Sequence, residues 1–77
     1  MELGQPTKEY VVLGRLGELC RATAHDEDEV IELLKKERDN PESVKMPSNL
    51  GGGTVGEFIW REWNRAGRKI KEVKDAR

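Results

Sequence analysis

This chain carries little with which to perform covalent chemistry. One cysteine and one histidine occur among its 77 residues, so no disulfide can close within it. Cys20 and His25 also make a poor nucleophile–base pair, because an odd separation along a strand points two side chains to opposite faces. Ser43 and Ser48 have no base near them in the sequence. The acidic run Asp26, Glu27, Asp28 and Glu29 suggests a hard cation at first sight. Successive helical positions, however, diverge by about 100° and cannot converge on one ion. These readings lead to the expectation of a non-enzyme with no metal and no cofactor.

Apolar bulk is scarce too. Only four side chains are aromatic, and apolar residues make up 35% of the chain against 38% charged. A domain of this size lies near the lower limit for a single hydrophobic core, and a buried cofactor cavity would compete for the same few side chains. No apolar run approaches a membrane span, and residues 1–10 contain no apolar signal segment. The expected setting is cytoplasmic, without a membrane partner.

What is present is mostly punctuation. Residues 1–8, with Gly4 and Pro6, show no periodicity and read as a flexible leader to one domain over residues 9–77. Tyr10, Val11, Val12 and Leu13 are β-branched, aromatic or apolar in succession, which suits a central strand. Gly14-Arg15-Leu16-Gly17 makes a short connection. A second strand follows, with Cys20, Ala22 and Ala24 on one face and Arg21 and Thr23 on the other. The small residues on that inner face allow a helix to pack close to the sheet.

The next segment marks a helix at both ends. Asp26 is placed to cap it, and Glu29, three residues on, completes a capping box. The acidic residues favour the positive end of the helix dipole, and Lys35, Lys36 and Arg38 favour the negative end. Val30, Ile31, Leu33 and Leu34 form the apolar stripe, and Pro41 ends the helix at Asn40. Residues 42–53 show no usable pattern, and a patternless loop of about a dozen residues is often mobile or functional.

Within and after that loop, Gly51-Gly52-Gly53-Thr54-Val55-Gly56 spells GxGxxG. A dinucleotide fingerprint needs a buried strand directly before the glycines and an acidic residue on a second parallel strand about 20 residues later. Here the glycines follow Met46-Pro47-Ser48-Asn49-Leu50, which is no strand, and no Gly-Lys-Ser or Gly-Lys-Thr follows them. The better reading is a swivel before a helix. Thr54 and Glu57 spell a capping box, Val55, Phe58, Ile59, Trp63 and Ala66 share a face, and Gly67 stands where a glycine cap belongs. Ile70 and Val73 either extend this helix or form a third strand over 69–74. The strand is favoured, since a lone hairpin is marginally stable. The resulting class is α+β, in the order ββααβ.

Charge is unevenly spread. Residues 26–42 hold eight acidic and three basic side chains, and residues 57–77 hold seven basic and four acidic ones. On a helical wheel Trp60 falls about 120° from the centre of the apolar stripe, beside Arg61 and Asn64. It lies either over the long loop, against Met46 or Leu50, or exposed as an anchor for a partner. Two function classes follow. One is a non-catalytic domain that binds another protein through Trp60, Arg61, Asn64, Arg68, Lys69 and Lys71, or by adding a strand at an open sheet edge. The other is a nucleic-acid binder using the basic segment 61–77 for phosphates and Trp60 for stacking. The acidic balance, with a pI of about 5.8, favours the protein partner.

Overall fold

The computed structural model of the chain describes residues 6–73, and its centre is the strand built around Tyr10, Val11 and Val12. Strand β1 (Lys8–Gly14) turns at Arg15 and Leu16 into β2 (Gly17–Ala24). Helices α1 (Glu27–Arg38) and α2 (Val55–Arg65) follow, and β3 (Ile70–Val73) closes the order ββααβ. The sheet runs β2-β1-β3, antiparallel throughout, so β1 is central and β2 and β3 are its edges. Residues 1–5 of the expected leader and Lys74 of the expected last strand lie outside the described residues.

One face of the sheet carries the core. Tyr10, Val12 and Ala24 pack with Val30, Leu34 and Trp63, and Cys20, Ala22, Ile31, Ile59, Trp60 and Ile70 gather around them. Leu19 is an extra residue in β2, since Val12 pairs with Cys20 while Leu13 pairs with Glu18. This bulge lets Leu19 and Cys20 both reach the core side.

Both helices begin as their sequences indicate, with one difference. Asp26 accepts the Glu29 amide at 2.8 Å, but the Glu29 carboxylate reaches past the cap to the His25 amide at 2.6 Å and to its imidazole Nδ1 at 2.8 Å. These hydrogen bonds from the His25 backbone and ring hold the Glu29 carboxyl below the usual carboxylate range. The capping box of α2 is complete, with Glu57 N–H donating to Thr54 Oγ1 at 3.2 Å and Thr54 N–H donating to Glu57 Oε1 at 2.9 Å. Its far end is a Schellman turn. Arg68 N–H donates to the Trp63 carbonyl at 2.9 Å and Gly67 N–H to that of Asn64 at 3.1 Å. Gly67 adopts φ 92 there, which explains why the helix stops rather than running on to Ile70.

The inward face of α2 differs from the expected one. Gly56, Ile59, Trp60 and Trp63 face α1 and the sheet, a stripe rotated by roughly 70° from the expected one of Val55, Phe58, Ile59, Trp63 and Ala66, with which it shares Ile59 and Trp63. Phe58 is half-buried but outside the core cluster, with the Arg61 guanidinium 5.6 Å from its ring centre. The cause is Gly56. It is buried against the backbone of α1, where an added methyl would overlap the Glu37 carbonyl oxygen. Turning the glycine toward α1 brings the helices close and carries both tryptophans inward. On α1, Leu33 likewise departs from expectation and remains 37% exposed.

Two substitutions check this packing. Leu34→Ala should lower the unfolding free energy by about 2–5 kcal/mol in a denaturant titration. Helix propensity alone favours Gly56→Ala by about 1 kcal/mol. The overlap with an immovable carbonyl should reverse that sign and leave the variant at least about 1 kcal/mol less stable. A Gly56→Ala protein that melts higher than wild type would show that the helices do not meet there.

Candidate functional site

The amides that would face a phosphate at the glycine segment are already used. Val55 N–H donates to the Val44 carbonyl at 2.7 Å, Gly56 N–H to the buried Ser43 Oγ at 3.2 Å, and Glu57 N–H to Thr54 Oγ1. The first turn of α2 therefore meets acceptors from its own chain rather than an open anion site. Residues 42–53 are also more ordered in pattern than their sequence indicates. A 3-10 turn spans Ser48–Leu50, Lys45 bridges to Thr54, and Met46 N–H donates to the Gly53 carbonyl at 2.7 Å. Gly51, Gly52 and Gly53 all take positive φ to make that return.

Trp60 is not free in solvent. It is half-buried against the core, 5.4 Å from the Trp63 ring, with the Arg38 guanidinium 4.6 Å and the Arg68 guanidinium 5.7 Å from its centre. Asn64 holds this arrangement together. Its Nδ2 donates to the Trp60 carbonyl at 2.7 Å, and its Oδ1 accepts from Arg68 Nε at 2.6 Å. Arg68 itself stands at φ 59, a left-handed conformation unusual for a side-chain-bearing residue. Trp60, Asn64 and Arg68 thus form one stack. Arg61 lies elsewhere, over Phe58 and beside Gly51, while Lys71 pairs opposite Val11 on the outer side of the sheet. Lys69 is exposed and gives its carbonyl to Trp63 Nε1 at 3.2 Å and to the Leu13 amide at 3.1 Å. Of the six residues expected to form one surface, three, Trp60, Asn64 and Arg68, are brought into direct contact.

A different site emerges at the edge of the sheet. Because β3 pairs with β1, no strand pairs with the outer edge of β2 among the described residues. Leu13 N–H points toward β3, so alternation directs Val12 and Tyr10 toward β2 and engages their partners Cys20 and Ala22. The backbone groups of Arg21 and Thr23 then face outward. Between this edge and the helices runs a groove of about 410 Å³, lined chiefly by Cys20, Ala22, Leu33, Leu34, Val55 and Ile59. The small side chains of β2 leave it open, and Leu33 forms its lip. Only the alternation of small residues hints at it in the sequence.

The chemistry of this groove is that of contact. Burial, with a smaller contribution from Glu18, pushes the Cys20 thiol above its ordinary pKa, so it stays protonated and weakly nucleophilic near neutrality. Arg21 is held by Glu18 at 2.9 Å and Glu9 at 3.1 Å, which occupies its charge. Among the described residues no three His, Cys, Asp or Glu side chains converge as metal ligands, and no helix is long and apolar enough to cross a membrane. Comparison with protein-family models, curated proteins and solved structures finds no match for this chain.

The stack makes Trp60 a folding residue as well as a surface one. Trp60→Ala should cost about 2–4 kcal/mol of stability in chemical denaturation, less than a fully buried Trp. A melting temperature unchanged from wild type would mean that the ring does not pack against the core.

Proposed function

We propose that this is a small non-catalytic domain that binds another protein, and that it does so through the free edge of β2. The observation that carries this reading is the juxtaposition of outward-facing strand backbone with an adjoining apolar groove. Edge strands are ordinarily short, charged or covered, because unpaired backbone recruits other chains. Of the two edges here, β3 includes Lys71 and Glu72 among its four described residues. The stretch of β2 from Cys20 to Ala24 carries one charge, Arg21, already paired with two carboxylates. Such an edge suits main-chain recognition, with the neighbouring groove supplying side-chain selectivity. A single free thiol accords with a reducing, cytoplasmic setting.

The distribution of the basic residues supports this reading over nucleic-acid binding. Arg15 and Arg65 both contact the Glu62 carboxylate, and Arg61 lies within 4.0 Å of it. Arg68 and Arg38 lie over the Trp60 ring, which reduces its value as a platform for bases. A continuous basic face is what phosphate binding demands, and these cations are dispersed.

Salt titration against single-stranded and duplex oligonucleotides separates the two classes. The expected result is no saturable binding even at low salt. Micromolar binding that weakens steeply with salt would overturn the protein-partner reading. In that case, neutralising Arg68, Lys69 and Lys71 together should flatten the slope by about one unit for each phosphate interaction removed.

A further inference from the structure

Resting on the reading of β2 as a binding edge, we infer that its occupant is an extended segment of another polypeptide in which apolar and basic residues alternate. The backbone geometry sets the first requirement. Arg21 and Thr23 offer outward N–H and C=O groups two residues apart, the spacing at which an added strand pairs. Alternate side chains of that strand would then point to the helix side of the sheet, where the groove lies. Cys20, Ala22, Leu33, Val55 and Ile59 present an apolar lining there, with room for valine- or isoleucine-sized groups.

Charge sets the second requirement. On the outer side of the same edge, Arg21 is outnumbered by Glu9 and Glu18, so the triplet carries a net negative charge. Lysine or arginine at the intervening positions of the incoming strand would meet this excess. A second copy of the chain fits poorly. Pairing two β2 edges would bring together two α1 segments, each within a region of eight acidic and three basic side chains.

The test uses a short blocked peptide alternating lysine and valine, and a matched peptide alternating glutamate and valine. The lysine peptide should bind saturably, shift the Arg21 and Thr23 amide resonances, slow their exchange with solvent and shield Cys20 from a thiol reagent. Leu33→Lys, at a position 37% exposed, should keep the wild-type melting temperature yet weaken binding at least about tenfold, because it replaces an apolar surface with a charge of the same sign as the peptide's. No saturable shift at millimolar peptide, shifts centred on Trp60 and Arg68, or equal binding of the glutamate peptide would each overturn the proposal. So would a peptide-free dimer whose Arg21 and Thr23 amides are already protected. A protein partner bound equally by wild type and Leu33→Lys would leave the protein-binding reading standing and refute this occupant.

Discussion

The approach of α2 to α1 at Gly56 is the contact on which the remaining architecture turns. With no side chain at that position, the first turn of α2 lies directly against the Glu37 carbonyl. Ser43, shortly after α1, completes the joint by accepting the Gly56 amide from within a buried position. The consequence is rotational. Once Gly56 faces α1, the 3.6-residue period carries Ile59, Trp60 and Trp63 inward and leaves Phe58 outside the core cluster. Trp63, fully buried, then ties α2 to the sheet through its hydrogen bond to the Lys69 carbonyl, which also accepts the Leu13 amide.

This joint connects stability to the surface available for function. Trp60, which looks like an interface anchor in the sequence, is largely engaged with Trp63, Arg38 and Arg68 in holding α2 and its C-terminal turn together. Cation–π contacts of this kind contribute about 0.5–1 kcal/mol each at exposed sites, a useful amount in a domain of this size. The surface with unmet contact potential lies at the opposite edge of the sheet. Small side chains on β2 and a glycine on α2 both reduce bulk, and the groove forms between them. The features that let the helices approach the sheet thus also leave it open at one side.

The candidate site is far less legible in the sequence than the fold. A hydrophobic pattern weights Phe58 and Val55 heavily and assigns Gly56 nothing, so it places Ile59 and Trp63 inward but rotates the stripe of α2 away from Trp60. Glycine contributes to packing by absence, which periodicity cannot register. Leu33 groups with Val30, Ile31 and Leu34 for a related reason, since apolar character does not reveal that one flank of a helix has no neighbour. The basic residues after Trp60 form a cluster in sequence, yet a Schellman turn and a change to strand distribute them over different faces.

Local chemistry alone determined the two helix starts, the stop at Gly67 and the hairpin. Each depends on hydrogen bonds or backbone preferences among residues close together in the chain. Thr54 caps the Glu57 amide three positions away, and Gly67 reverses the helix where its own φ permits. Tertiary structure decided that β3 joins β1 rather than β2, that α2 turns its glycine to α1, and that Trp60 lies between two arginines. Those outcomes depend on contacts between residues far apart in sequence. Close packing, rather than local propensity, selects among the alternatives, and the free edge exists only after that selection.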